Sequence, residues 1–332
     1  MFNVVLIIPT GLGAEIGGHA GDGNPVAKLL ASTCDHLITH PNVVNASDIN
    51  EMTENTLYVE GSMLDEFLEG NIELKKVYSN KILLAVNEVT NDIINSVNAA
   101  RVTIGAEIEI VKLKTPLKMI GRVGHKGAGG EVFGWEELVE QVSSYDFDAL
   151  AISTPITVEK DAVTFYIRNH GINPWGGIEA YTSKLISKEL KKPVAHSPMD
   201  DKDSEVYKVL ANLTGPVDPR MSAELVSVSY LHCILKGLHK APRRVMGGGL
   251  SVCEVDFMVS PVDIWGRPHE ACIENNIPII MVKENDTCLD EPMGRHILVD
   301  NCLEAVGILQ AHKTGVSVDS VRRPLPELRI HS

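Results

Sequence analysis

Long hydrophobic runs, clustered cysteines, aromatic residues and a surplus of positive charge are all scarce in this 332-residue chain. With only 3 Trp, 7 Tyr and 6 Phe, the core has to be built from aliphatic side chains. The longest apolar runs, such as Val4–Ile8 and Ile277–Val282, fall well short of the ~18 residues that a membrane-spanning helix needs. Val4–Ile8 is also short of the ~7 apolar residues of an export-signal core, and no basic residue precedes it, so it reads as a buried strand. The six cysteines, at 34, 233, 253, 272, 288 and 302, form no C-x-x-C pair, which suits free thiols in a reducing, cytoplasmic setting. A formal net charge of −14 argues against a nucleic-acid partner, since phosphate binding requires a basic surface. It leaves room for a small anion in a local basic pocket. HExxH, Gx4GK[ST] and GxSxG are absent as well.

What the chain does have is a recurring unit: a short aliphatic strand, a loop marked by Gly or Pro, then an amphipathic helix. Strands are expected at Val4–Ile8, Leu37–Thr39, Leu57–Val59, Ile82–Val86, Glu107–Val111, Ala149–Ser153, Val245–Met246, Phe257–Val259 and Ile277–Val282. Helices are expected at Pro25–Ser32 (with Asn24 as N-cap), Met63–Leu68, Asp92–Arg101, Trp135–Ser144, Gly177–Lys191, Met221–Gly237, Pro268–Asn275 and Cys302–His312. The alternation predicts an α/β fold with a mostly parallel, doubly wound sheet and helices on both faces. At ~150 residues per domain the length suggests two α/β lobes, divided as 1–135 and 136–332. Residues 121–130 are too rich in glycine to predict either helix or strand.

Three loops carry glycine in excess: 9–24 (Gly11, Gly13, Gly17 and Gly18 among them), 121–130, and Gly247-Gly248-Gly249. Glycine lets backbone N–H groups converge on an anion; it also serves tight turns. The expectation is that all three loops meet around one cavity at the carboxyl ends of the strands, where open parallel sheets bind ligands. Gly11-x-Gly13-x-x-x-Gly17 departs by one position from the dinucleotide fingerprint, and Asp35, the acidic residue ~20 positions on, precedes a strand instead of ending one.

Among the polar groups, Glu15, His19, His125, His196 and His269 are the acid/base candidates. Asn42, Asn45 and Asp263 suit hydrogen bonding to a polar ligand, and Arg122, Lys126 and Arg267 supply positive charge. His196 is expected just past a strand end, and Trp175, in Asn173-Pro174-Trp175-Gly176-Gly177 before Glu179, offers a wall for a planar ligand. A divalent metal held by His and Asp from separate loops is compatible with these residues, but their spacing specifies none.

The stretches Pro9–Gly18, His40–Ala46 and Ser260–His269 together resemble a domain-of-unknown-function family of bacteria, archaea and plants, over nearly the whole chain. That family brings no activity to carry over. Gly11-Leu12-Gly13-Ala14-Glu15, Asp148-Ala149-Leu150 and Pro155-Ile156 are also similar to segments of the isocitrate-dehydrogenase-like phosphohydroxythreonine dehydrogenases. This second likeness implies metal- and NAD-dependent hydride transfer. The metal-binding Gly-His-Thr-Glu element of those enzymes corresponds to Gly176-Gly177-Ile178-Glu179 here, which lacks the histidine.

The residues themselves point to an enzyme working by acid/base chemistry (lyase, isomerase or hydrolase) on a small, polar, anionic metabolite. The alternatives are the dehydrogenase and a non-catalytic metabolite-binding protein. A homodimer is the default for an enzyme of this size.

Overall fold

The computed structural model describes residues 1–19, 21–44, 52–169, 171–198 and 230–331. Two parallel sheets organise it. The first has six strands, β1 (Asn3–Leu6), β2 (His36–Thr39), β3 (Thr56–Tyr58), β13 (Phe257–Pro261), β14 (Ile279–Val282) and β15 (Ile297–Val299), in the order β15-β14-β13-β1-β2-β3. The second has four, β5 (Lys81–Val86), β6 (Glu107–Lys112), β9 (Ala149–Thr154) and β11 (Val194–Pro198), in the order β11-β9-β5-β6. Every strand pair within these two sheets is parallel. Smaller units are β10 (Ile156–Val158) beside the hairpin of β7 (Lys118–Gly124) and β8 (Gly127–Phe133), and an antiparallel ribbon of β4 (Glu73–Lys75) with β12 (Arg243–Val245).

The helices are α1 (Asn24–Ala31), α2 (Pro41–Val44), α3 (Gly61–Leu68), α4 (Asn91–Ile104), α5 (Trp135–Val142), α6 (Lys160–Asn169), α7 (Gly176–Leu190), α8 (Leu231–His239), α9 (Arg267–Glu274), α10 (Cys302–Lys313) and α11 (Val318–Val321). Local chemistry sets several ends. The Thr90 hydroxyl accepts from Ile93 N to start α4, and Gly105, at φ 67°, ends it in the left-handed conformation. Asn301 caps α10 through Glu304 N, and the Glu60 carboxylate caps α3 by accepting from Ser62 N and Met63 N.

The expected lobe boundary at 135 does not divide the molecule. The six-stranded sheet draws on both ends of the chain, whereas the four-stranded sheet comes from its middle. The two share a core: Leu37 and Tyr58 from the first and Ile82, Leu84 and Ala149 from the second belong to one buried cluster with Ile234, Leu235 and Leu238 of α8. Each fully buried Leu or Ile among them contributes roughly 1.5–3 kcal/mol. Among the described residues no helix is long and apolar enough to cross a membrane.

Three further expectations need correction. Residues 121–130 lie in a regular hairpin, because antiparallel pairing with β7 satisfies the glycine-rich backbone and His125-Lys126 closes the turn between Gly124 and Gly127. Gly23, not Asn24, is the N-cap of α1. His196 lies within β11 rather than beyond it. The part of the expected helix before Tyr230 is outside the described residues.

Candidate active site at the first turn of α7

Each parallel sheet has a point where its crossovers diverge to opposite faces. In the six-stranded sheet it lies between β1 and β13. Helix α1, which follows β1, packs its Ala27 and Leu30 into the core shared by the two sheets, while α9, which follows β13, packs Ala271 and Cys272 into the core on the other face. In the four-stranded sheet it lies between β5 and β9, with α4 (Ile93, Val97) on the shared-core side and α7 (Ile178, Ile186) on the other. Crevices at the carboxyl ends of strands beside such a point are where α/β sheets bind ligands. The first turn of α7 joins the two: the loop leaving β1 touches it from one side, and β11, which pairs with β9, from the other.

The contact with the β1 loop depends on glycine. A Cβ on Gly176 would overlap Thr10 Oγ1, one on Gly177 would overlap the Ala128 carbonyl, and one on Gly11 would lie 2.9 Å from Gly177 N. Ala128 N donates to Gly11 O at 2.6 Å, so the β1 loop, the hairpin and the helix end interlock through their backbones. The Asn173 side-chain oxygen Oδ1 accepts from Trp175 N (3.0 Å) and Gly176 N (3.2 Å), satisfying two donors at the start of the helix.

The chemistry sits along the same turn. Glu179 Oε1 is 3.1 Å from His196 Nδ1; His196 Nε2 is 3.0 Å from Thr154 Oγ1 and 3.1 Å from the Thr154 carbonyl. The His196 side chain is wholly buried, whereas that of Glu179 keeps 23% of its surface in solvent. Beside ionised Glu179, Nδ1 carries the proton. Nε2 then either accepts from the Thr154 hydroxyl or, in the imidazolium, donates to the Thr154 oxygens. The imidazolium is hydrogen-bonded on both nitrogens, whereas in the neutral Nδ1–H ring Nε2 accepts from the Thr154 hydroxyl and meets the Thr154 carbonyl as acceptor to acceptor.

On the other flank, His19 Nδ1 is 2.5 Å from the Tyr166 hydroxyl, with the rings 5.0 Å apart, and Tyr166 meets Trp175 edge-on at 5.9 Å. His19 thus reaches the start of α7 through two aromatic rings, Trp175 immediately preceding the helix.

The rest of the β1 loop is scaffold. Gly11, Gly13 and Gly17 have φ of 73°, 65° and 86°, and a Cβ on Gly18 would overlap the Ala14 carbonyl. Asn42 Nδ2 donates to the carbonyls of Ile8 (2.9 Å) and Gly17 (3.1 Å). Asn285 takes both backbone groups of Ile16, at 2.8 and 3.0 Å. Ile8 N donates to His40 Nε2 at 3.0 Å. Burial lowers the His40 pKa to about 4, which keeps that nitrogen an acceptor. These glycines and Asn42 are therefore accounted for by loop conformation and packing. The side chain of Glu15 lies on the surface.

The remaining predicted residues lie elsewhere. Arg122, His125 and Lys126 are on the exposed arm of the hairpin, with Arg122 paired to Glu131 at 3.3 Å. Gly247–Gly249 does not join the other two loops. Gly249 N donates to Glu73, and the chain then runs through Leu250, paired with Leu74, to Asp256, whose N bonds the carbonyl of Asn3 at the amino end of β1. That places it at the opposite ends of the strands. His269 stacks on Trp265 (5.0 Å) and bonds Ser260 Oγ (3.1 Å); burial lowers its pKa to about 4, partly offset by the Gly266 carbonyl. Arg267 is committed to Glu69 (2.7 Å) and Asp65 (3.4 Å), and the Asp263 carbonyl accepts from Glu291 N. Asn45 lies outside the described residues. Among the described residues, no group of three or more His, Cys, Asp or Glu could hold a metal ion.

Sequence reasoning missed Thr154 and Tyr166. Thr154 directly follows the predicted strand Ala149–Ser153, and that position was the available signal.

Residues 3–322 match the family described as "Protein of unknown function (DUF3326)". The chain belongs to this family. The chain is similar to an uncharacterized lipoprotein of Synechococcus sp., 32% identical over 337 aligned positions covering 94% of this chain and 91% of the relative. Membership in the DUF3326 family spans both sheets and every residue of the α7 site.

Proposed function

We propose that this protein is an enzyme that moves protons on a small, polar, anionic metabolite bound at the first turn of α7. The observation that carries the proposal is the Glu179–His196–Thr154 chain at the carboxyl end of β9. Glu179, the solvent-facing member, exchanges the proton with substrate; His196 positions its carboxylate and shares the charge. The positive end of the α7 dipole favours an anionic substituent there, since Arg122 and Arg267 are already paired with carboxylates. Lyase, isomerase and hydrolase chemistry all fit this set of groups.

The test is conversion of a small-molecule extract followed by mass spectrometry, with wild type, Glu179→Gln and His196→Gln in parallel. Loss of one metabolite and gain of another with wild type alone supports the reading. A metabolite retained by the protein but never converted would make it a binding protein instead.

We also infer a reducing, cytoplasmic location. None of the six cysteines is in a disulfide, and four are buried. The Synechococcus relative carries the name lipoprotein. Fractionation of cells decides the matter: recovery in the membrane pellet would overturn the inference.

A further inference from the structure

Residues 319–331 are exposed throughout, and the family match ends at Arg322, so the segment beyond it is an appendage to the domain core. It is nevertheless rich in aliphatic side chains: Leu328 and Ile330 have 87% and 85% of their surface in solvent, and Leu325 is also exposed. Pro324 and Pro326 favour an extended backbone, and the four residues after them, none of them proline, each carry an N–H donor that strand pairing can use.

A matching surface lies on the same molecule. β15 is an outermost strand of the six-stranded sheet, its second edge unpaired within that sheet. Ile297 and Leu298 on it are exposed, and Leu303, in the first turn of α10, has 71% of its surface in solvent. The carboxyl end of β15 is acidic: Asp300, Glu304 and Glu284 lie there with Lys283, which pairs with Asp300, as their counter-charge. The tail carries Arg322, Arg323 and Arg329 against Glu327.

We propose that the tail of one copy, residues 322–331, lies antiparallel along β15 of a second copy, and that the exchange is reciprocal, giving a closed two-fold dimer. Setting Leu328 beside Leu298 puts Arg322 and Arg323 past the end of β15, toward Asp300 and Glu304. Two copies that each carry a formal charge of −14 repel at a distance, and this local attraction of opposite sign gives them a specific place to meet.

The test is the mass of the full chain in solution over a concentration series, beside a form truncated after Val321 and the double variant Leu328→Asp/Ile330→Asp. The full chain is expected to dimerise, and both altered forms to dissociate at least about tenfold more readily. At concentrations low enough for all forms to be monomeric, their melting temperatures should match wild type, because the tail contributes nothing to the core. A full chain that stays monomeric, or a dimer unaffected in both altered forms, overturns the proposal. Leu298→Cys/Leu328→Cys, with Cys253 and Cys288 replaced by Ser, should form a disulfide between chains on oxidation; a disulfide within one chain would show the tail folding back on its own β15 and would overturn it equally.

Discussion

Glu179 Oε1 and His196 Nδ1 lie 3.1 Å apart, joining a solvent-facing carboxylate on α7 to an imidazole with no exposed surface on β11. The pair bridges helix and sheet at the carboxyl end of the strands. Glu179→Gln preserves an oxygen acceptor for Nδ1 but cannot take up a proton at neutral pH. Turnover should fall about 10²- to 10⁴-fold, with the melting temperature nearly unchanged. Equal losses of stability and turnover, measured by calorimetry beside the kinetics, would give the pair a purely structural role.

Glycine-to-alanine changes inside helices ordinarily gain up to about 1 kcal/mol. At Gly177 the sign should reverse, because the new methyl would overlap the Ala128 carbonyl, which is backbone and held by the Gly11 contact. Gly177→Ala should cost roughly 1–3 kcal/mol in denaturant unfolding. A stabilised variant would mean that the three segments do not interlock as described.

His40 couples the loop to pH. Its pKa of about 4 in the folded protein, against an ordinary 6.5, comes from burial, and the unfolded chain therefore takes up the proton first. The stability due to neutral His40 is fully present above pH 6.5, declines as pH falls toward 4, and is gone below that. The total is roughly 3 kcal/mol. Urea midpoints measured from pH 7 down to pH 4, for wild type and His40→Gln, should show the wild type losing this much more than the variant. Parallel curves would refute it.

Strands β1 and β9 were easy to see in the amino-acid order because both of their faces are buried, so Val4–Ile8 and Ala149–Ile152 are unbroken aliphatic runs. Partnership was not visible: β1 pairs with β13, some 250 residues later, a relation that only the folded chain creates. The hairpin at 118–133 was missed for the opposite reason, since pairing with β7 overrides the poor strand propensity of its glycines. His19 and His196 stood out as residue types, but their partners Tyr166 and Thr154 are 147 and 42 positions away and carry no local motif. The glycines of the β1 loop were legible as special, and turn conformation and close packing require glycine at these positions.

Asn285 offers a sharper probe of that loop. Buried, it makes both of its hydrogen bonds to the backbone of Ile16. Asn285→Ala leaves an N–H and a carbonyl without those partners and should cost about 1–3 kcal/mol. Asn285→Asp should be worse, because a carboxylate oxygen would face the Ile16 carbonyl. Limited proteolysis should then cut within residues 9–19; unchanged resistance in both variants would show that the loop is held by other contacts.

The most direct test of the account is backbone hydrogen exchange with and without the metabolite that the conversion assay returns. Exchange should slow together in residues 9–19, 173–183 and 194–197, the segments that meet at the first turn of α7. Protection confined to 263–274 or 245–254, with none in α7, would contradict the assignment of the active site.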